Sequence, residues 1–303
     1  MVAQSEAMRE AVGLAERVAA TDANVLVTGE SGTGKDAIAF FIHQRSNRAA
    51  RPFVKIDCAT LPGHLLEAEL FGYERGAFTG AGEAKPGRLE ASHRGTLVLD
   101  EIAYLPTDAQ AKLLRVIETR EFERLGGRRT IKVDARVIAL TNVNLTEAVE
   151  RRNFREDLFY RLNVVHIRVP PLRERRSDLP ELVSGFLKSY AAKHGRPALV
   201  VAPAAMTSLK EYQFPGNVRE LANTIERAVI ISSGKRIEEA DLPESVRAAV
   251  RLQQRRAQPG TLAEIEAEYV SEILAATKGN KTEAARILGI SRKNLYERIA
   301  RRK

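Results

Sequence analysis

A glycine-rich segment early in the chain has the composition and spacing of a phosphate-binding loop. The pattern G-x-x-x-x-G-K is filled by Gly29, Glu30, Ser31, Gly32, Thr33, Gly34 and Lys35. Glycines let the backbone curl so that successive N–H groups face phosphate oxygens, and the lysine meets the β- and γ-phosphate charge. An apolar run at 24–28 precedes the segment and a helical pattern at 36–42 follows it, as such a loop requires. We predict a nucleotide site in which Lys35 contacts the phosphates, with an ordinary glycine turn as the alternative.

Three carboxylates could serve the same nucleotide. Asp36 stands at the eighth position of the pattern, where Ser or Thr would give Mg²⁺ a hydroxyl, so an acid there must act directly or through water. Asp100 and Glu101 end an apolar run, at the edge where ligands bind in parallel α/β sheets. We predict that Asp100 and Asp36 hold Mg²⁺ and that Glu101 polarises the attacking water. The alternative is a solvated loop. ATP and Mg²⁺ are therefore the expected cofactors.

The elements around these residues predict an α/β core followed by helices. Helical stretches such as 109–118 alternate with β-rich runs at 24–28, 53–56, 96–99, 135–140 and 164–169. This alternation predicts a mainly parallel sheet covered on both faces. Strands are expected to stop at Pro170–Pro171, because the periodicity becomes helical at 178–193, 203–211 and 217–231.

Composition excludes several classes of protein. The 303 residues are 44% hydrophobic, no apolar run approaches the roughly 18 residues that cross a bilayer, and the first residues lack a signal-peptide pattern. The single cysteine, Cys58, cannot form an internal disulfide, and the five histidines are too dispersed for a local zinc motif. We expect a cytoplasmic protein with no membrane partner and no structural metal.

The basic excess is concentrated at the C-terminal end. The formal net charge is +9, and residues 251–303 contain 12 basic and 6 acidic residues, which accounts for +6 of it. Such asymmetry is typical of a module that meets a polyanion, although a solvated basic end would look the same. The polar segment that ends in Pro259–Gly260 predicts a linker before this module.

The basic module has the pattern of a helix-turn-helix. Thr261 to Glu264 resembles a capping box that opens a helix to about Ala276, and two short helices, 281–288 and 292–301, flank Gly289. A recognition helix needs donors for phosphates and base edges. Those that the second helix offers are Arg292, Lys293, Asn294, Tyr296, Arg298 and Arg301. A three-helix protein-interaction domain is the alternative.

One further segment identifies a family. Its residues are Gly76, Ala77, Phe78, Thr79, Gly80 and Ala81. An aromatic side chain between glycines has little around it to bury the ring, which implies a partner unless the ring tucks into its own domain. With the phosphate loop, the chain resembles the AAA+ activators of sigma-54 RNA polymerase, the bacterial enhancer-binding proteins of the nitrogen-regulator type. In that family this loop contacts the sigma factor.

The resemblance implies roles for further residues. Thr141–Asn142 is similar to the family's sensor I, in which a polar side chain reaches the γ-phosphate. Arg155 and Arg161 lie in a segment similar to the one that supplies arginine fingers to the neighbouring subunit, and which of them is the finger stays open. Arg219 resembles the sensor II arginine, in the first turn of a helix that Asn217 can cap.

Two positions depart from the family pattern. Phe214 stands where members often carry Trp, and Asp57 stands where they usually carry the Asn thought to hold the catalytic Glu in a switch. Since an ionised Asp beside Glu101 would repel it, the switch is in doubt while the ATP site is not. Asp36 is no departure, because the family typically has Glu there.

The expected organisation is a AAA+ P-loop ATPase with a parallel sheet and an all-α lid, followed by an all-α helix-turn-helix domain. We assign residues 1–171 to the ATPase core, 172–247 to the lid, 248–260 to a linker and 261–303 to a Fis-type DNA-binding domain. The phosphate-loop strand starts too early to leave room for a sensory domain before it, so we expect a longer parent chain or control by another protein.

The implied function is ATP-driven activation of transcription. The family's partners are the sigma-54 holoenzyme and double-stranded enhancer DNA, bound by dimers that assemble into a hexamer. Two alternatives remain: another AAA+ machine that acts on DNA or protein, and a DNA-binding regulator that uses the ATPase fold only as a scaffold. The loop containing Phe78 disfavours the first, and Lys35 with Asp100 and Glu101 disfavours the second.

Overall fold

A computed structural model describes residues 1–196, 199–248, 266–267, 269–271, 273–274, 277 and 279–300. The chain forms two compact units. The first comprises Met1–Met206 and Gln213–Leu242, and the second contains the described residues of 207–212 and 243–300. The predicted linker at 248–260, apart from Ala248, and the predicted capping box at 261–264 lie outside the described residues.

A five-stranded sheet organises the first unit. Its strands are β1 (Val25–Thr28), β2 (Phe53–Asp57), β5 (Thr96–Asp100), β8 (Arg136–Thr141) and β9 (Val165–Arg168). They pair in the order β2-β5-β8-β1-β9, and every pairing is parallel. The parallel sheet predicted from the β-rich runs is confirmed, and the carboxyl ends of all five strands lie along one edge.

Helices cover both faces of this sheet. They are α1 (Glu6–Ala19), α2 (Lys35–Gln44), α3 (Gly63–Phe71), α4 (Arg88–Ala91), α5 (Thr107–Thr119), α6 (Leu145–Glu150) and α7 (Glu156–Leu162). On one face Met8, Ala15 and Ile38 pack against Val25 and Ile138. On the other face the core includes Leu66, Phe71, Leu99, Leu113 and Leu158. Each fully buried large apolar side chain stabilises the fold by about 1.5–3 kcal/mol.

Two small hairpins extend from this core. Strands β3 (Gly72–Tyr73) and β4 (Lys85–Pro86) form one, and β6 (Glu121–Glu123) and β7 (Thr130–Lys132) form the other, both antiparallel. Sequence periodicity does not reveal them, since strands of two or three residues are too short to show alternation. They carry the loops at 74–84 and 124–129.

The segment after β9 is mainly helical. It contains α8 (Leu179–Lys193), α9 (Pro203–Glu211) and α10 (Asn217–Ile231), close to the predicted bounds. The expectation that strands stop at Pro170–Pro171 is wrong in one detail, because β10 (Val200–Val201) pairs in parallel with β11 (Arg236–Ile237). A two-residue pair adds too little apolar periodicity to be predicted from the sequence.

In the second unit two short helices flank a turn, as predicted. They are α11 (Lys281–Ile287) and α12 (Arg292–Ala300). Asn280 caps α11, since its side-chain oxygen accepts hydrogen bonds from the Thr282 and Glu283 amides at 3.2 Å each. Ala284, Ala285 and Leu295 are buried together with Val270, so the two helices share a small core.

No helix among the described residues combines the length and apolar character needed to cross a membrane.

Candidate functional site

The glycine-rich loop joins the end of β1 to the start of α2. Gly32 and Gly34 have φ of 76° and 101°, conformations that glycine adopts without strain. Lys35 opens α2 and is buried, with its Nζ donating hydrogen bonds to the carbonyls of Gly29 at 2.9 Å and Glu30 at 3.3 Å. The strand, loop and helix therefore have the predicted arrangement around an inward-facing ammonium.

The Lys35 ammonium belongs to a cluster of charges. Burial lowers its pKa, and the nearby carboxylates of Glu101, Asp100 and Asp36 oppose that shift. Its Nζ lies 3.8 Å from Glu101 Oε1. A phosphate group bound in this loop would provide the negative charge that the buried ammonium otherwise finds in these carboxylates.

The carboxylates at the end of β5 face this loop. Glu101 adopts a left-handed conformation with φ of 51°, which is uncommon for a residue other than glycine and is frequent at functional sites. Its Oε2 accepts a hydrogen bond from the backbone amide of Asn142 at 3.2 Å, and Asp100 Oδ1 accepts one from the backbone amide of Glu101 at 3.0 Å. Strained backbone thus directs Glu101 between Lys35 and the segment after β8.

Asp36 and Asp100 converge on one cation, the ammonium of Lys55. Lys55 Nζ lies 2.7 Å from Asp100 Oδ2 and also donates a hydrogen bond to Asp36 Oδ1. Burial disfavours the ammonium, but its hydrogen bonds to Asp100 and Asp36 outweigh burial, so the pKa of Lys55 is raised. Two carboxylate oxygens that share one cation are a suitable donor set for Mg²⁺. Sequence reasoning missed Lys55, since a lysine on a strand carries no motif.

Protein ligands alone would not enclose a metal here. In the described part of the chain, no group of three or more His, Cys, Asp or Glu side chains could hold a metal ion. This agrees with how Mg²⁺ is usually bound in nucleotide sites, by one or two carboxylates together with phosphate oxygens and water.

Thr141 and Asn142, the residues similar to sensor I, lie beside the glycine-rich loop. The Gly29 amide donates to the Thr141 carbonyl at 3.3 Å, which ties the loop to β8. Thr141 is buried, and its Oγ1 accepts a hydrogen bond from the Val143 amide at 3.0 Å. Asn142 is exposed and lines a cleft of about 470 Å³ with Gly29. Clefts of roughly 300–1,000 Å³ suit small ligands.

The start of α10 packs directly on the glycine-rich loop. Arg219 Nη1 donates to Ser31 Oγ at 2.9 Å, and the Val218 amide donates to the Gly32 carbonyl at 2.9 Å. A Cβ on Gly32 would come within 2.4 Å of the Gly216 carbonyl oxygen, so only glycine fits there. The structure therefore brings the proposed sensor II arginine to the phosphate loop.

Asn217 differs from its predicted role. It does not cap α10 with its side chain, because α10 begins at Asn217 itself. Instead its Oδ1 accepts a hydrogen bond from the Leu172 amide at 2.8 Å, and its Nδ2 donates to the Ser31 carbonyl at 3.1 Å. Asn217 is fully buried, so these bonds satisfy a polar group that would otherwise be costly.

Glu30 is tied to two residues that sequence reasoning missed or assigned otherwise. Arg173 forms a two-pronged ion pair with its carboxylate, with Nη1 2.8 Å from Oε2, and Asn217 Nδ2 donates to the same oxygen at 3.1 Å. The hydrogen bonds from Arg173, and then from Asn217, lower the pKa of Glu30 to about 2. Its carboxylate is thus held in place by Arg173 and Asn217.

The two finger candidates lie on α7 and just before it. Arg155 pairs with Asp157 through Nη2 and Oδ2 at 2.7 Å, and its amide donates to the side chain of buried Gln110 at 2.8 Å. Arg161 pairs with Glu118 at 3.0 Å. Among the described residues, no ion pair or hydrogen bond joins either guanidinium to the glycine-rich loop of the same chain.

The loop from Gly76 to Ala81 closes the hairpin of β3 and β4. The Ala81 amide donates to the Phe78 carbonyl at 3.0 Å, which forms a tight turn, and Gly80 within it has φ of 104°. The Phe78 side chain is 39% exposed, and its ring meets that of Tyr73 edge-on with centroids 5.0 Å apart. Thr79 is exposed. Phe78 is therefore partly covered by its own domain but still accessible at the surface.

A second loop supports this hairpin. Arg124 forms a two-pronged ion pair with Glu90, at 2.8 Å for each nitrogen, and its Nη1 lies 3.2 Å from Glu74 Oε1. The arginine side chain thus connects α4, the base of the Phe78 loop and the end of β6. A Cβ on Gly126 would lie 2.8 Å from Ala77 Cβ, so the two loops are in close contact. No sequence pattern indicates this network, since its members are far apart in the chain.

Asp57 is directed into the following turn. Its Oδ1 accepts a hydrogen bond from the Ala59 amide at 2.9 Å, which is an Asx turn. In the sheet register it lies opposite Asp100. Cys58 beside it is buried, and burial together with nearby carboxylates raises its pKa to about 12, so its thiol stays protonated and unreactive.

The candidate DNA-binding side chains lie on α12. Arg292, Lys293, Asn294 and Tyr296 are exposed. Arg298 pairs with Glu266 at 2.6 Å, and the Lys281 ammonium lies 4.6 Å from the centre of the Tyr296 ring. Arg301 lies outside the described residues.

Comparison with protein families accounts for nearly the whole chain. Residues 1–168 match the sigma-54 interaction domain, residues 173–259 match the AAA+ ATPase lid domain, and residues 261–301 match the bacterial regulatory proteins of the Fis family. The first match alone covers more than half of the chain.

Individual relatives agree. The chain is 45% identical to the regulatory protein AtoC of Escherichia coli over 307 residues, which cover 99% of this chain and 67% of AtoC. It is 42% identical to the transcriptional regulatory protein FlbD of Caulobacter vibrioides, over 99% of this chain and 69% of FlbD. The crystal structure of NtrX from Brucella abortus in complex with ATP matches with a TM-score of 0.74 and 37% identity, over 99% of this chain and 68% of NtrX. The chain therefore belongs to the sigma-54-dependent transcriptional activators and joins a AAA+ ATPase to a Fis-type helix-turn-helix.

Proposed function

We propose that the protein binds upstream DNA, hydrolyses ATP between subunits and uses the loop around Phe78 to remodel the sigma-54 RNA polymerase holoenzyme. The observation that supports this proposal is the position of Glu101, which contacts Lys35 at the end of the glycine-rich loop, the backbone amide of Asn142 and Asp100. A chain that used the fold only as a scaffold would have no need of a carboxylate held between Lys35 and the backbone amide of Asn142.

Each residue at the sheet edge has a role in hydrolysis. Bound Mg²⁺ would neutralise phosphate charge and orient the nucleotide. Asp100 and Asp36 would supply its protein ligands, and Lys35 with the loop amides would bind the β- and γ-phosphates. Glu101, held between Lys35 and the backbone amide of Asn142, would polarise a water molecule. Arg219, which donates a hydrogen bond to Ser31, would couple the state of the bound nucleotide to the helical lid.

Completion of the site requires a second subunit. Arg155 and Arg161 are both paired with carboxylates of α5 or α7 and lie apart from the loop of their own chain. A guanidinium that reaches the transferred phosphoryl group accelerates NTPases by about 10³–10⁵-fold. We propose that one of these arginines acts in trans in a hexameric ring that assembles from dimers on DNA.

Two packed helices connect the ATP site to the Phe78 loop. Helix α3 follows β2 and leads into β3, and α5 follows Asp100 and leads into β6. The two helices are close at both ends. A Cβ on Gly63, the first residue of α3, would lie 2.9 Å from Pro106, the residue before α5. At the other end, the ring centroids of Phe71, the last residue of α3, and Phe122 in β6 lie 6.3 Å apart. Because packed elements move as units, a change at Asp100 or Glu101 would reach the hairpin through both helices.

DNA binding is assigned to α12. Its exposed Arg292, Lys293 and Asn294 match the donors that read phosphates and base edges from a recognition helix. Such a regulator acts on chromosomal DNA, and we propose that it works in the cytoplasm.

Open-complex formation by sigma-54 holoenzyme on supercoiled template tests the proposal. The full chain should support it with ATP, and a chain with Lys35→Ala should not. ATP hydrolysis without open complexes would favour another AAA+ machine. Sequence-specific DNA binding without phosphate release would favour the scaffold alternative.

A further inference from the structure

The ammonium of Lys55 occupies the position on which the proposed metal ligands converge. It lies 2.7 Å from Asp100 Oδ2, at the end of β5, and also donates to Asp36 Oδ1, in the first turn of α2. A single side chain on β2 therefore bridges two other elements of the ATPase site. No motif identified in the sequence includes this residue.

Strand geometry explains why Lys55 reaches this position. Side chains of a strand alternate between the two faces, so Lys55 and Asp57 point to the same side of β2. Asp57 lies opposite Asp100 in the register, and Lys55 lies opposite Val98. From there the long side chain of Lys55 extends toward the carboxyl edge of the sheet, where its ammonium contacts Asp100 and Asp36.

Lys55 and a metal ion would compete for the same oxygens. Two carboxylates that approach one point repel each other unless a cation lies between them. Lysine can supply that charge with three donors, whereas Mg²⁺ binds carboxylate oxygens at about 2.0–2.1 Å in a strict octahedral geometry. Mg²⁺ in direct contact with Asp100 Oδ2 and Asp36 Oδ1 would take the two oxygens that the ammonium contacts, so the two cations compete for this pair.

We propose that Lys55 is the resident cation of this carboxylate pair and that it sets how strongly ATP binding depends on Mg²⁺. Without the metal, Lys55 neutralises Asp36 and Asp100 and so permits ATP to approach. When the metal binds these two oxygens directly, Lys55 must leave them, which raises the Mg²⁺ concentration needed. This inference rests on the proposed assignment of Asp36 and Asp100 as metal ligands.

The test is ATP affinity of the full chain as a function of free Mg²⁺, including a metal-free sample with EDTA. Removal of the competing cation in Lys55→Met should lower the half-saturating Mg²⁺ concentration about fivefold or more. It should weaken metal-free ATP binding by a similar factor, because the carboxylates then repel the phosphates. Lys55→Gln should behave in the same way, and Lys55→Arg should remain close to the unsubstituted chain.

A matched control is Lys112→Met. Lys112 is also a lysine paired with a carboxylate, Glu67 at 2.7 Å, but on α5 rather than in this cluster. It should leave the Mg²⁺ dependence unchanged. Binding of Mn²⁺ in the presence of a non-hydrolysable ATP analogue, followed by electron paramagnetic resonance, gives a readout that does not depend on turnover and should show the same shift.

The outcomes separate this inference from the proposed function. If ATP affinity of the unsubstituted chain does not respond to Mg²⁺, the metal assignment of Asp36 and Asp100 is wrong. If it responds, and both Lys55→Met and Lys55→Gln show the same Mg²⁺ dependence as the unsubstituted chain, the competition is refuted. Loss of ATP binding by these variants with and without Mg²⁺ would make Lys55 a nucleotide contact or a folding residue, and would also overturn the inference.

Discussion

The carboxyl edge of the central sheet and the loop from Gly76 to Ala81 belong to one unit but are held in different ways. At the sheet edge, charged side chains join separate elements: Lys35 reaches Glu101 at 3.8 Å, and Glu30 is held by Arg173. In the loop, the hydrogen bonds are short-range backbone bonds, such as the one from the Gly76 amide to the Ala81 carbonyl at 2.8 Å, and Phe78 is 39% exposed.

This difference suits the sheet edge to catalysis and the Phe78 loop to contact with a partner. Catalytic groups must be fixed before the substrate arrives, since preorganised charges cost no reorganisation during the reaction. A surface that pushes on a partner must instead change position at low cost, and segments with few buried contacts open most readily. We therefore expect that substitutions can impair either region without impairing the other.

The largest effect is expected from Glu101→Gln. The amide keeps the size and the hydrogen bond from the Asn142 amide but cannot act as a base, so turnover should fall by about 10²–10⁴-fold while ATP still binds. Steady-state phosphate release and nucleotide binding measure the two quantities. Glu123→Gln, which alters a surface carboxylate paired with Arg115, should hydrolyse ATP normally. Normal turnover in Glu101→Gln would remove the proposed base.

Substitution of the loop should give the converse result. Phe78→Ala should abolish open-complex formation while ATP hydrolysis stays within about twofold, because an exposed loop residue adds little to the distant site. Phe40→Ala is the matched control: Phe40 is 46% exposed and also meets another ring edge-on, that of Phe53 at 5.3 Å. If Phe40→Ala blocks open complexes equally, the Phe78 assignment has no specificity.

Much of the first region could be predicted, and for a definite reason. The glycine-rich loop and Asp100–Glu101 are local patterns, in which backbone conformation and chemistry require certain residues at fixed spacing. The five strands were also indicated, since buried parallel strands form short apolar runs. Parallel pairing then brings the strand ends to one edge without any further information.

The contacts that tie these parts together could not be predicted. Lys55 with Asp36, Arg173 with Glu30 and Arg124 with Glu90 join residues that are distant in the sequence or lie outside any motif. Surface ion pairs leave no periodicity, and several geometries are compatible with the same composition. Asn217 is a further example: its side chain is predicted to cap α10 locally but instead forms long-range hydrogen bonds with Leu172 and Ser31.

The proposed arginine fingers, Arg155 and Arg161, would act at the ATP site of the neighbouring subunit. Arg155→Ala and Arg161→Ala should both retain ATP binding, and the variant that removes the finger should lose about 10³-fold or more in turnover. Arg151→Ala, which removes an exposed arginine paired with Glu147, is the control and should turn over normally. If both single variants hydrolyse ATP at the normal rate, neither arginine is the finger.

A smaller effect is expected for DNA binding. Arg292→Ala should weaken binding to the duplex site by about 1–3 kcal/mol if it reads a base and should leave ATP hydrolysis unchanged. Arg286→Ala is the control, because Arg286 lies on α11 and is paired with Glu283; this variant should bind the duplex site normally.

Removal of the chain after Gly260 should abolish salt-sensitive duplex binding and spare ATP hydrolysis. Specific binding by that shortened chain would contradict the assignment to α12.

The smallest effect concerns acid stability. The pKa of Glu30 is lowered from 4.5 to about 2 by Arg173, so its contribution to stability is present above pH 4.5 and is lost as the pH falls toward 2. Glu30→Gln should therefore show a shallower loss of thermal stability across this range, and Arg173→Met should show the same change. Identical pH profiles in all three chains would mean that this ion pair does not stabilise the folded state.

The position of the Phe78 loop in different nucleotide states tests the central claim most directly. Cys58 is buried, so a spin label on Thr79→Cys would report from the exposed loop, and distances between labelled loops of assembled subunits can be compared with ADP and with a transition-state analogue of ATP. The proposed coupling predicts that the distance distributions differ between these two states, and that Glu101→Gln changes this difference. Identical distributions with ADP, with the analogue and without nucleotide would contradict it.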